Sequence, residues 1–147
     1  MTKKELLKLI DNNIAPKTDR EKTFFASKDK NNKIYASDEK TGNNQYRELA
    51  NICLSAECFE EIELLIMYKE AKTVNGISWS KSYKNKNLAK IILECMKIIK
   101  DKSTDENNNF NDEVCRNNLS LFFGYLYWSA RVWSADGAAI LKEEVRR

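Results

Sequence analysis

Apolar residues recur at helical spacing along most of this chain. In residues 3–12, Leu6, Leu7 and Ile10 fall on one side and predict a short first helix. Pro16 suits the first turn of a second helix running to about Ser27 and carrying Phe24 and Phe25. Residues 28–44, KDKNNKIYASDEKTGNN, are polar and rich in turn formers apart from Ile34 and Tyr35, which predicts a long loop.

From Asn44 to Lys72 the helical signal is strong. Tyr46, Leu49, Ala50, Cys53 and Ala56 line up, and Leu64, Met67, Tyr68 and Ala71 fall on the same azimuth at about 100° per residue, with Glu57 and Glu60 between them. One continuous helix of about 29 residues would span about 43 Å. The alternative is a break near Ser55, with that serine as an N-cap. Gly76 then interrupts, and Trp79 and Tyr83 sit in a connector of Lys, Ser and Asn. Residues 87–101 form an amphipathic helix with Leu88, Ile91, Ile92, Cys95 and Ile99 inward and Lys90, Glu94 and Lys97 outward. Residues 103–111, STDENNNFN, predict an acidic loop. Asp112 is placed to cap a helix ending near Ser134, and Asp136-Gly137 predicts a turn before a short C-terminal helix over 137–147. No strand-like alternation is present. The expected fold is all-α, a compact bundle of about five to six helices in a single domain over 1–147.

The segment NLSLFFGYLYWSARVW, 118–133, carries Phe122, Phe123, Tyr125, Tyr127, Trp128 and Trp133. It is too short and too polar for a membrane span, which needs about 20 apolar residues. A helical wheel splits it into two stripes. Leu119, Phe122, Phe123, Leu126, Ala130 and Trp133 make one face, expected in the core. Leu121, Tyr125, Trp128 and Val132 make a nearly opposite face, either more core or a subunit interface. Ser120, Gly124, Tyr127 and Arg131 form a polar seam between them.

Composition agrees with helices: one Pro and four Gly leave few turns for a β-rich fold. The four cysteines, Cys53, Cys58, Cys95 and Cys115, have no CxxC spacing, and with no His there is no zinc set. Reduced, mostly packed thiols are expected. No N-terminal apolar stretch resembles a signal peptide, so the cytoplasm is the expected location.

Net charge is only +3, but it is unevenly spread. Residues 81–102 hold seven Lys against Glu94 and Asp101, while residues 55–72 hold five Glu against two Lys. The missing His removes the usual general base, and no phosphate-binding glycine loop is present. No enzyme activity, cofactor or metal is expected. The Glu57, Glu60, Glu61 and Glu63 cluster leaves a weaker reading as an acidic metal site. The remaining chemistry is suited to holding a polyanion: Arg47, Lys69 and Lys72 share an azimuth on the long helix, and Lys81, Lys84, Lys86 and Lys90 follow. Cations spaced along a helix side hold phosphates without reading bases. A salt-bridged helix face, using Glu61 and Glu70, is the alternative.

The order of three short motifs resembles the small helical subunit of type III-A CRISPR effector complexes. TGNNQYRELANIC at 41–53 resembles a T-x-x-Q-x-R-[KE] stretch opening a helix: Gln45 and Arg47 fall on it, and Glu48 stands where Lys is common. MYKEAK at 67–72 resembles a Y-x-x-[AG]-R segment through Tyr68 and Ala71, with Lys72 in place of Arg. FFGYLYWSARVW at 122–133 resembles an F-x-x-Y-[LM]-E-A-x-V helix: Phe122, Tyr125 and Leu126 fit, but Tyr127 replaces Glu. The resemblance covers about 41–133; the 103–111 loop and the segment after Gly137 are additions. It implies a non-catalytic subunit that self-associates along a filament with other effector subunits. Guide and target RNA backbone would be contacted by Arg47, Lys69 and Lys72. A helical bundle that binds a protein partner, as a homo-oligomer or an inhibitor, without RNA is the alternative.

Overall fold

The computed structural model describes residues 1–28, 31, 33–35, 44–72 and 79–146. Most of the predicted 28–44 loop therefore lies outside the described residues, as does Gly76. Six helices are present among the described residues: α1 (Lys3–Asn13), α2 (Asp19–Thr23), α3 (Asn44–Ser55), α4 (Phe59–Ala71), α5 (Leu88–Lys102) and α6 (Asp112–Arg146). The fold is all-α, a compact bundle. The described residues also include a minimal antiparallel ladder between β1 (Ser27–Lys28), which starts where the second helix was expected to end, and β2 (Ile34–Tyr35), inside the segment expected to be loop.

Local capping chemistry sets most boundaries. Thr2 Oγ1 accepts the Glu5 N–H at 3.1 Å and starts α1. The buried residues of α1 are Leu6, Leu9 and Ile10, so Leu9 takes the place expected for Leu7, which is exposed. The second helix starts later than Pro16 suggested. Thr18 Oγ1 accepts the Glu21 N–H at 3.2 Å, and the Glu21 carboxylate accepts the Lys17 N–H at 2.9 Å, a variant of the capping box. This leaves α2 five residues long, with Phe24 and Phe25 beyond its end. Asn87 Oδ1 accepts the Lys90 N–H at 2.9 Å and opens α5, whose expected inward face is buried, with Ala89 and Met96 widening it.

The long helix expected over 44–72 is two helices. Ala56, Glu57 and Cys58 break it, and the chain reverses, since Gln45 at the start of α3 meets Lys69 near the end of α4. Ser55 is not the cap. Cys58 holds the N-cap position without a side-chain bond, and the Asp112 carboxylate of α6 accepts the Phe59 N–H at 3.3 Å. The break also resets the azimuth. Tyr46, Leu49, Cys53 and Ala56 are buried as expected. In α4, however, the core residues are Phe59, Ile62 and Ile66, while Leu64, Met67, Tyr68 and Ala71 face outward.

The turn expected at Asp136-Gly137 is absent, and α6 runs through it for 35 residues, about 52 Å. Nor does Asp112 cap α6: Asn111 Oδ1 accepts the Val114 N–H at 3.0 Å. Helix α6 is the spine of the bundle and touches each of the other five helices. One hydrophobic cluster joins α1, α3, α4, α5 and α6 with Phe25, Trp79 and Tyr83. At one end, Ser103 Oγ donates to the Ile99 carbonyl at 2.6 Å and accepts from Asn118 Nδ2 at 3.1 Å, so the buried polar groups are satisfied. At the other, Tyr83 packs among Phe24 and Phe25, and its hydroxyl donates to the Ile14 carbonyl at 2.7 Å.

Candidate nucleic-acid and subunit-contact surfaces

The shared azimuth of Arg47, Lys69 and Lys72 was a property of the continuous helix and does not survive its break. A different contact fixes one of the basic residues. Gln45 Oε1 accepts the Lys69 ammonium at 2.7 Å and the Trp79 indole N–H at 2.8 Å. Three chain segments therefore meet at one amide oxygen. Arg47 lies two residues beyond Gln45, Lys72 three beyond Lys69, and Lys81 two beyond Trp79. All three cations are exposed, and none is in an ion pair among the described residues.

Lys69 itself is half-buried, with its ammonium over the Trp79 ring at 5.6 Å from the centroid. Burial pulls its pKa below the ordinary lysine value; the Glu48 carboxylate opposes this and Lys72 reinforces it. Its ammonium donates to Gln45 and lies over Trp79, so it is a strut between α3, α4 and the connector.

The remaining lysines are committed elsewhere. Lys84 pairs with Glu21 at 2.6 Å, both largely buried; Lys86 pairs with Glu94 at 2.6 Å; and Lys90 pairs with Glu70 at 3.3 Å. Here the alternative of a salt-bridged face holds, although its partners are Glu21, Glu70 and Glu94, with Glu61 taking no part. The exposed pairs at Lys86 and Lys90 are weak, about 0–1 kcal/mol, and give way readily to a polyanion. The Lys84 pair is structural. Nearby, the Arg20 guanidinium donates to the Tyr83 carbonyl, locking the connector onto α2.

The acidic cluster does not converge. Glu60 pairs with Lys100 at 3.7 Å, and no three His, Cys, Asp or Glu side chains come together as a metal-binding group among the described residues.

The two stripes of α6 separate as the wheel predicted. Leu119, Phe122, Phe123, Leu126 and Ala130 are fully buried, and Trp133 is half-buried against Phe25 at 5.0 Å between ring centroids. The opposite face is open. Trp128 is 66% exposed, Val132 61% and Leu121 38%, while Tyr125 is half-buried beside Trp128 at 5.9 Å. In the seam, Ser120 Oγ donates to the Ala50 carbonyl at 2.7 Å and ties α6 to α3. No helix among the described residues is long and apolar enough to cross a membrane.

Sequence reasoning missed a second apolar surface. Ile52 of α3 and Leu64, Leu65 and Tyr68 of α4 line an open groove of about 530 Å³ together with Glu61. The only available signal was the alternative break near Ser55, which moves Leu64 and Tyr68 off the core azimuth. Compared with known proteins, the chain significantly matches no family model, no curated protein and no solved structure.

Proposed function

We propose that this chain is a non-catalytic, cytoplasmic subunit of a type III CRISPR-like ribonucleoprotein, touching guide and target RNA through their backbone and held in place by neighbouring protein subunits. The observation that carries the reading is that Arg47, Lys72 and Lys81, borne on the three segments that meet at Gln45, are exposed and in no ion pair among the described residues. Exposed cations without carboxylate partners neutralise phosphates and release counterions, which gives affinity without sequence preference. Gln45 and Arg47 are also the residues on which the resemblance to the small subunit rests.

The test is a titration of the full chain with single-stranded RNA at several salt concentrations. Binding that weakens with salt, and falls at least about tenfold in the Arg47→Glu/Lys81→Glu variant, supports the reading. Undetectable binding, or binding unchanged in that variant, overturns it.

A second reading, a protein-interaction bundle without RNA, is favoured by the open Leu121/Trp128/Val132 face. An apolar stripe this exposed on a bundle's central helix suits a protein neighbour. It predicts association that Trp128→Glu abolishes and ribonuclease leaves intact.

A further inference from the structure

Helix α4 is apolar on both sides. Ile62 and Ile66 are fully buried inward, while Leu64 is 66% and Tyr68 57% exposed outward. On the outward side Glu61, Leu64, Leu65, Tyr68 and Lys72 recur at i, i+3, i+4, i+7 and i+11, one stripe about three turns long. The stripe is bipolar: a carboxylate stands at its N-terminal end, an ammonium at its C-terminal end, and apolar side chains lie between. Of the neighbouring carboxylates, Glu60 pairs with Lys100 and Glu70 with Lys90, whereas Glu63 lies off the stripe's azimuth. Glu61 and Lys72 are in no ion pair among the described residues, and Lys72 leans over the Tyr68 ring at 5.7 Å.

This arrangement is complementary to itself. Turned end for end about its midpoint between Ile66 and Met67, α4 puts Glu61 where Lys72 was and Leu65 where Tyr68 was. Two-fold interfaces require that each patch match its own rotated copy. We propose that α4 forms the contact of a two-fold symmetric dimer, the helices of two copies packing antiparallel. Glu61 pairs with the partner's Lys72, and Lys72 with the partner's Glu61. Leu64, Leu65 and Tyr68 of both copies meet between these pairs, with Ile52 of α3 forming the groove wall. An unrelated helix would need this same bipolar stripe to fit; a second copy carries it by construction.

Charge reversal tests the symmetry directly, using sedimentation velocity of the full chain from about 1 to 200 μM at low salt. Wild type shows a monomer–dimer equilibrium. Glu61→Lys and Lys72→Glu each set like charges against each other at both ends, weakening the dimer at least about tenfold. The double reversal Glu61→Lys/Lys72→Glu restores opposite charges and brings the dimer back, yet it does not pair with wild type in mixtures. Leu64→Asp abolishes the dimer with unchanged helicity. A chain monomeric throughout, a dimer unmoved by the single reversals, or a double reversal that stays monomeric overturns the proposal. So does a dimer lost in Trp128→Glu but not in Leu64→Asp, which puts self-contact on α6. Lys72 is common to this contact and to the proposed RNA surface, so RNA binding is read through Arg47 and Lys81 alone, which the contact does not use, and either idea fails without the other.

Discussion

The α-carbon of Gly137 lies against the backbone of Lys22, where α6 crosses α2. A methyl group built on Gly137 would sit 2.8 Å from the Lys22 carbonyl carbon, overlap its oxygen and lie 3.1 Å from Thr23 Cα. The glycine is thus a contact point inside a continuous helix. Alanine at an ordinary helical position is favoured over glycine by about 1 kcal/mol. Here backbone stands in the way, and Gly137→Ala is expected to destabilise the fold by about 1–3 kcal/mol. Urea unfolding of wild type and variant measures this; a variant more stable than wild type would show that α2 yields freely.

Asp112 caps a helix to which it does not belong. Its carboxylate accepts the Phe59 N–H of α4 and also lies 3.5 Å from the Arg116 guanidinium one turn along α6. Asp112→Ala is expected to cost about 1 kcal/mol, and Asp112→Asn less, because the amide oxygen still accepts. Equal losses in both variants would assign the effect to the Arg116 pair.

Tyr83 joins the N-terminal segment to the connector. Its hydroxyl bonds the Ile14 carbonyl in a fully buried setting. Tyr83→Phe leaves that carbonyl without this partner and should cost about 1–3 kcal/mol. Thermal melts should show a single transition at lower temperature.

Stability should fall in alkali. Burial pushes the Cys53 and Cys95 thiols up to about 12 and the Cys115 thiol to about 11, from an ordinary value near 9. Their folded-state pKa values are raised, so their contribution is full below pH 9 and is lost as pH rises from 9 towards 12. Unfolding free energy should decline by up to about 1.4 kcal/mol per pH unit for each thiol. The tyrosines Tyr46 and Tyr83, also raised by burial, add to the slope above pH 10. Denaturant titrations at pH 8, 9 and 10 give the slope. Half-buried Cys58 should be the one thiol that reacts quickly with a chromogenic disulfide in the native chain.

Among the lysines predicted to meet RNA, effects should divide by partner. Lys81→Gln should reduce RNA affinity and the salt slope with no change in stability. Lys84→Gln should lower stability and leave the salt slope in place, because Lys84 is spent on Glu21. The Glu21 carboxyl shows the same coupling: burial works against its charge, but bonds from Lys84 and the Lys17 N–H and the nearby Arg20 win, and its pKa is lowered. Its contribution is present above the unfolded value of 4.5 and is lost as pH falls through the folded value. Equal effects of both substitutions on RNA binding would contradict this division.

The residues of α5 and the buried stripe of α6 were legible because a helix's periodicity depends only on its own sequence. The segment around Ala56 was not: Met67 and Leu49 share an azimuth only if the helix never breaks, and the cap that ends the break comes from Asp112, 53 residues away from Phe59. The candidate site shows the same limit. Arg47, Lys69 and Lys72 share a face only on an unbroken helix, whereas the contact that joins the segments of Lys69 and Trp79 runs through Gln45.

Taken alone, the sequence determined that this protein is helical and that α6 carries two apolar faces, since periodicity and composition are local properties. Tertiary structure alone decided that Gly137 is a crossing point and that Leu64 and Tyr68 face out. It also decided which cations stay unpaired, because ion pairs such as Lys84–Glu21 and junctions such as Gln45 exist only once distant segments are packed together.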